Sequence, residues 1–167
     1  RPERANPAKK RVIIFSPHPD DDVISMGGTF ARLIDQGHEV HVAYQTSGNI
    51  AVTDEEALKF IEVAEGSFLK NQGNTDQLEA LKKSIHSDSN AISRDVLSVK
   101  AAVRRSECLA AARFLKLPTE QLHFLNLPFY ETGKIIKNEP SAADFKITQD
   151  LIDEIKPHQI FAAGDLA

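Results

Sequence analysis

Arg11-Val12-Ile13-Ile14-Phe15-Ser16-Pro17-His18-Pro19-Asp20-Asp21-Asp22 is the stretch on which the fold turns. Its first half is a short, nearly continuous apolar run rich in β-branched residues. That pattern suits a strand buried on both faces, as in a parallel sheet. Its second half becomes abruptly polar and is stiffened by two prolines. Downstream, Met26, Phe30, Leu33 and Ile34 recur at helical spacing from about Ser25, and Gly37 sits where a C-cap glycine belongs. Glu39-Val40-His41-Val42-Ala43-Tyr44 reads as a second strand. Strand, helix and strand thus follow one another as a βαβ unit, right-handed by rule.

The rest of the chain extends this unit. Residues 53–98 read as a helical excursion: Thr53 and Glu56 form a capping pair, and Leu58, Ile61 and Phe68 mark an apolar stripe. After a turn over Asn71-Gln72-Gly73-Asn74, Leu78, Leu81 and Ile85 mark a second short helix, and 84–93 reads as loop. A long helix is expected over about 99–116, with Val99, Val103, Ala110, Phe114 and Leu117 on one face. The third strand is expected over 121–127. Ser141 opens a helix through Phe145, Ile147, Leu151, Ile152 and Ile155, Pro157 stops it, and 158–163 is the fourth strand. Alternating strands and helices predict an α/β fold, an open, doubly wound, Rossmann-like and mostly parallel sheet.

Composition narrows the function. With 41% hydrophobic residues, 167 residues suffice for one domain with a buried core. A net charge of −4, without a basic stripe, argues against nucleic acid as partner, and the basic residues within 1–11 read as solvated. No apolar run approaches the roughly 20 residues of a membrane span. A single cysteine, Cys108, excludes an intramolecular disulfide and suits a reducing cytoplasm, where it reads as a small buried apolar residue. Residues 1–10 read as an interdomain linker and 11–167 as one domain, cut from a longer protein after its fourth strand.

The chemistry lies in the second half of the opening stretch. In open α/β sheets, ligands bind at the carboxyl ends of the strands, where Pro17 to Asp22 emerge. Three adjacent carboxylates in one tight loop repel each other unless a cation or hydrogen-bond donors offset the charge. His18, two residues earlier, offers the nitrogen that zinc or ferrous iron prefers; magnesium would prefer oxygen alone. A solvated turn that caps the next helix needs one such carboxylate and leaves His18 unexplained. A receiver-type magnesium site would want an Asp closing the third strand, where Asn126-Leu127-Pro128 stands.

Pro17-His18-Pro19-Asp20-Asp21-Asp22 followed by Gly27-Gly28-Thr29 resembles the PIG-L/LmbE-like N-acetylglucosaminyl deacetylases, whose signature is His-Pro-Asp-Asp-Glu after the first strand. Thr46-Ser47-Gly48, the pair Arg104 and Glu107, and the Gly164-Asp165 exit extend the likeness. The start of the chain is also similar to the deacetylase-like domain fused behind glucosamine-6-phosphate deaminase in some bacterial proteins. The resemblance implies a hydrolase of the acetamide bond of N-acetylglucosamine-type sugars. It further implies that His18 and Asp21 bind Zn2+ (or Fe2+ or another divalent ion), that Asp20 is the general base, and that Asp22, Thr46, Ser47 and Arg104 contact substrate. Asp22 stands where the family has Glu, and Glu131 falls where family members place a substrate-binding Asp. The family's His-x-x-His motif, source of a third metal ligand, is expected beyond residue 167, so this chain alone is expected to be inactive.

Other residues carry a plainer reading beside the functional one. Arg104 and Glu107 fit either a surface pair one helical turn apart or a partly buried pair whose Arg reaches the site. Thr46, Ser47 and Gly48 fit a plain turn as well as a sugar contact. His38, His41, His86, His123 and His158 read as structural or surface residues. The expected partners are an amino sugar, a covalently linked upstream domain and a second copy of the chain. The rival class is a non-catalytic sugar-binding or regulatory domain that keeps the fold.

Overall fold

The computed structural model describes residues 7–66, 75–85, 93–134 and 136–162. The expectations for Phe68, the turn at 71–74, His86, most of the loop before residue 93 and the Gly164-Asp165 exit lie outside them. In chain order the elements are β1 (Arg11–Ser16), α1 (Asp21–Ile24), α2 (Gly27–Asp35), β2 (Glu39–Tyr44), α3 (Asp54–Ala64), α4 (Thr75–Ile85), α5 (Arg94–Phe114), β3 (Leu122–Phe124), α6 (Ala142–Ile155) and β4 (Gln159–Ala162). Single 3-10 turns stand at Asn49–Ala51 and Thr119–Gln121. The strands form one parallel sheet in the order β3-β2-β1-β4, with Val12 opposite Val40 and Gln159. This is the expected α/β architecture.

Both faces of β1 are covered, which is why it reads as an unbroken apolar run, whereas the edge strand β4 is largely exposed. Val12 and Ile14 point to one side with Val40, Val42, Tyr44, Phe30, Leu33, Cys108 and Ala112. Ile13 and Phe15 point to the other, against Leu151 and Ile155 of α6. The helical excursion has a core of its own, built from Val52, Ala57, Ile61, Ile85, Val96 and Val103, with Leu78 and Leu81 packed on it. Helix α5 serves both cores, since its buried residues run from Val96 and Val103 to Cys108 and Ala112.

Local chemistry sets the boundaries. Helix α2 ends in a Schellman motif: Gly37 N–H bonds to Ile34 O at 2.8 Å, His38 N–H to Leu33 O at 3.1 Å, and Gly37 takes φ 74°. Thr53 Oγ1 accepts the Glu56 N–H at 3.1 Å to start α3. Asp144 accepts from both the N–H and the hydroxyl of Ser141 at the start of α6. Arg11 departs from the solvated reading, because its guanidinium donates to the carbonyls of Ile155 (2.8 Å) and Lys156 (3.0 Å) and closes α6.

Several expectations need correcting. The helix expected from about Ser25 starts at Gly27, after Met26 at a non-helical φ of −146°, and an unexpected short helix, α1, precedes it. Helix α5 starts at Arg94 rather than near Val99, because the Ser93 hydroxyl accepts the Asp95 N–H and caps it there. Phe114, placed on the buried face, is 86% exposed, and Ala110 is exposed too. The face that packs runs through Val96, Lys100, Val103, Cys108 and Ala112 instead, a stripe that admits Lys100 because its ammonium reaches Asp54 at 2.7 Å. Phe145 likewise faces outward on α6. β3 is shorter than expected, although the Leu125 and Leu127 N–H groups still bond to Tyr44 O and Gln45 O beyond it.

Among the histidines, His38 Nδ1 accepts the Lys10 N–H and His158 Nδ1 the Arg11 N–H, both structural roles. His41 and His123 stack across β2 and β3 with Nδ1 and Nε2 3.0 Å apart, and His41 Nε2 lies 3.1 Å from Glu39. Burial, reinforced by His41 and opposed by Glu154, lowers the His123 pKa. The unfolded chain therefore binds the proton more readily, so this residue's contribution to stability is full above about pH 6.5 and falls as pH drops toward the lowered folded-state value. Urea midpoints measured between pH 7.5 and 5 should fall less steeply for His123→Gln than for the parent.

Candidate metal and catalytic site

Three loops leave the carboxyl edge of the sheet together and are stitched to one another. Gln45 N–H bonds to Ser16 O at 2.9 Å, and the Thr46 hydroxyl to Pro17 O at 2.8 Å. Ser47 N–H bonds to a Glu131 carboxylate oxygen at 2.9 Å, and the Asn49 amide to the other at 3.3 Å. Gly48 takes φ 64° beneath Pro19.

On this frame the three aspartates diverge. Asp21 turns to His18: its Oδ2 accepts the His18 backbone N–H at 2.9 Å and lies 3.3 Å from His18 Nδ1. Asp20 turns to α5, where Arg104 Nη2 meets its Oδ2 at 2.7 Å and also donates to Pro19 O. Asp22 turns inward, only 2% exposed, and takes the Tyr44 hydroxyl at 3.0 Å and the Ser16 hydroxyl at 3.4 Å. Burial raises the Asp22 pKa against these hydrogen bonds.

His18 and Asp21 fit a divalent metal. Two ligands about 2.1 Å from a tetrahedral zinc stand roughly 3.4 Å apart, close to the observed 3.3 Å. The side chains are 51% and 33% exposed, so a hydrated ion can reach them. Edge-on packing of the His18 ring against Tyr130, with centroids 5.8 Å apart, limits how the imidazole swings. Among the described residues no group of three or more His, Cys, Asp or Glu side chains is placed to hold a metal ion.

The remaining candidates separate into two sets. Arg104 reaches the site, as the partly buried of the two readings held, and Glu107 braces it at 2.7 Å. Its fork is turned to Asp20, Pro19 O and Glu107, leaving only Nε without a partner. Thr46 and Ser47 are buried and tie the loops together, and Asp22 lies beneath the loop that carries His18 and Asp21 rather than on its open side. Cys108 is buried as expected, and burial pushes its thiol up to about 12, which rules out a thiolate nucleophile at neutral pH. Two contacts were missed in the sequence, Tyr130 against His18 and Tyr44 beneath Asp22. The second was readable: Tyr44 continues the alternation of Val40 and Val42 toward the face that carries α2 and α5.

Asp20 has φ 125° and ψ −25°, a region that L residues avoid. Such strain costs on the order of 1–3 kcal/mol and persists only where the surroundings over-determine it; here the Arg104 bridge and the hydrogen bonds of Asp22 do so. Gly48 is the matching constraint from below, since a Cβ there would stand 2.9 Å from Pro19 Cδ and 3.4 Å from Arg104 Nε. Gly48→Ala should therefore destabilise the protein by about 1–3 kcal/mol. Chemical denaturation measures it, and a loss below about 0.5 kcal/mol, the range of neutral surface changes, would show that the loop yields freely.

Residues 13–166 match the PIG-L family, described as GlcNAc-PI de-N-acetylase. A glucosamine-6-phosphate deaminase-like protein of Bacteroides thetaiotaomicron is 54% identical over 175 aligned positions, covering 100% of this chain and 26% of that protein. The diacetylchitobiose deacetylase of Thermococcus kodakarensis is 43% identical over 47 positions, covering 28% of this chain and 18% of that protein. The chain thus spans about a quarter or less of each of these relatives. With its strand-borne His-Pro-Asp-Asp loop inside the matched region, the chain belongs to the PIG-L de-N-acetylase family.

Proposed function

We propose that this domain removes the acetyl group from N-acetylglucosamine-type sugars, using a divalent metal held by His18 and Asp21 and Asp20 as general base. The observation that carries the reading is the division of labour within one loop. His18 and Asp21 converge at ligand spacing, while Asp20, next in sequence, is held off them by Arg104. A zinc or ferrous ion bound there would polarise the acetamide carbonyl and make a water molecule more acidic.

The chain's own residues supply the proton handling. Asp20 takes the proton from water as the water oxygen bonds to the acetyl carbon, and returns it to nitrogen as the C–N bond breaks, giving acetate and a free amine. Arg104 holds the carboxylate in that place through Asp20 Oδ2 and Pro19 O. Asp22 and Thr46 fasten the loops beneath the site, and Ser47 also lines the cleft beside it, where it can meet substrate. The names of the two relatives, one a deacetylase of an acetylated sugar and one likened to an amino-sugar deaminase, support an amino-sugar substrate. We take the domain to be one part of a larger amino-sugar enzyme. Among the described residues no helix is long and apolar enough to cross a membrane, and the lone buried thiol suits a cytoplasmic setting.

The roles part under mutation. In the intact protein, Asp20→Asn should lower acetate release by about 10²–10⁴ while metal content stays near that of the parent. Asp21→Ala should lose both metal and activity. Metal analysis and an acetate assay on the purified variants check this. Equal metal loss in both would reverse the assignment, and sugar binding without acetate release in the metal-loaded parent would favour the non-catalytic rival.

A further inference from the structure

Asp21 and His18 are not held with equal firmness. The Asp21 carboxylate is fixed by the His18 backbone N–H at 2.9 Å, a contact that leaves the imidazole free to turn. On the ring, Nδ1 lies 3.3 Å from Asp21 Oδ2, longer than an ordinary hydrogen bond, and the side chain is 51% exposed. A half-turn about the Cβ–Cγ bond would carry Nδ1 away from Asp21 and put a ring carbon in its place. If both groups are to meet one ion, a further neighbour has to hold the ring. Tyr130 is placed to do so, with centroids 5.8 Å and planes 68° apart.

Tyr130 is buried and is itself clamped by Lys137. The Lys137 ammonium stands 3.7 Å from the centre of the Tyr130 ring. It also donates to the carbonyls of Tyr130 at 3.0 Å and Lys134 at 3.2 Å. A lysine free to choose keeps its ammonium in water; this one is turned in, and it fastens the backbone and the ring of the same residue. The loop around it is closed by its own hydrogen bonds. Asn138 N–H bonds to Phe129 O at 2.9 Å, Thr132 N–H to Tyr130 O at 2.8 Å, and Phe129 N–H to Asp144 at 2.9 Å. The Tyr130 ring thus meets His18 from a base tied to α6.

We propose that Tyr130 and Lys137 are positioning residues for His18: Lys137 fixes the Tyr130 ring, and Tyr130 holds the imidazole with Nδ1 turned to Asp21. The inference rests on the reading of His18 and Asp21 as metal ligands. Both residues act on the fraction of molecules whose imidazole is turned to bind, and the apparent affinity of a ligand falls with that fraction. An edge-to-face pair shifts such an equilibrium by roughly two- to tenfold.

Lys137→Met keeps the apolar stem and removes the ammonium. In the intact protein, zinc affinity, measured by competition with a chromophoric chelator, should fall by about three- to tenfold. The sign is informative, because removing a cation near a metal site would by charge alone tighten binding. Tyr130→Leu should weaken binding at least as much, while Tyr130→Phe, which keeps the ring, should stay within about twofold of the parent. Thermal melts identify a variant that has unfolded; should Tyr130→Leu do so, Lys137→Met decides. Nitrogen NMR of metal-free protein labelled at histidine, with His18 assigned through His18→Gln, reads the ring directly. The His18 signals should move in Lys137→Met and stay in Tyr130→Phe. Parental or tighter zinc affinity in Lys137→Met, or unmoved His18 signals, overturns the proposal. If the parent takes up no zinc, the metal reading fails and the His18 signals alone decide the positioning. Acetate release is scored separately: a parent that binds zinc and releases no acetate, but loses affinity in Lys137→Met, leaves the clamp standing and removes the deacetylase reading.

Discussion

Three carboxylates in succession leave the end of a buried strand, and the site depends on keeping them apart. Like charges this close raise one another's energy unless each finds its own compensating partner. The fold supplies three partners from three directions: His18 for Asp21, Arg104 for Asp20, and the Tyr44 and Ser16 hydroxyls for Asp22. His18 comes from the loop itself, Ser16 from β1, Tyr44 from β2 and Arg104 from α5, so the arrangement draws on β1, β2 and α5 together. The divergence also gives two adjacent carboxylates different surroundings, Asp21 against His18 and Asp20 against Arg104.

Helix α5 is the element that ties this region to the rest of the chain. Its first turns pack on α3 and α4, its middle presents Arg104 to the metal loop, and its last turns pack on the sheet. The buried Lys100 ammonium, one turn before Arg104, meets Asp54 at the start of α3. The Asp54 side chain is 61% exposed, so solvent screens this pair, and the helical excursion is joined to the Arg104 region chiefly through the packing of α5. The excursion is part of the scaffold that sets Arg104, although its sequence gave no reason to place it near the chemistry.

The sheet was legible because period and boundary agreed. β1 and β2 carry unbroken apolar runs closed by turn residues, and Gly37 marked the end of α2 through a backbone requirement only glycine meets cheaply. The approach of His18 and Asp21 was legible through the loop's resemblance to the family signature, and both partners lie within that one loop. What escaped depended on distant partners. Phe114 and Ala110 fit a helical stripe as well as Val96 and Ala112 do, and only the position of the sheet decides which stripe faces in. The inward turn of Asp22 needed Tyr44 from the next strand. The pinned orientation of Asn49 needed Glu131, 82 residues away. Arg104 stood between these cases: its pairing with Glu107 was local, its reach to Asp20 was not.

The backbone at Asp20 has a consequence for how such a domain changes under selection. A φ of 125° is comfortable for glycine and uncomfortable for aspartate. Replacing Asp20 by glycine would relieve strain and remove a charge from a crowded loop, so a screen that rewards heat tolerance alone would favour it. On the proposed mechanism, the same change deletes the carboxylate that moves protons. Robustness and chemistry therefore pull in opposite directions at one position, and a lineage released from the need to hydrolyse would be expected to lose this carboxylate early.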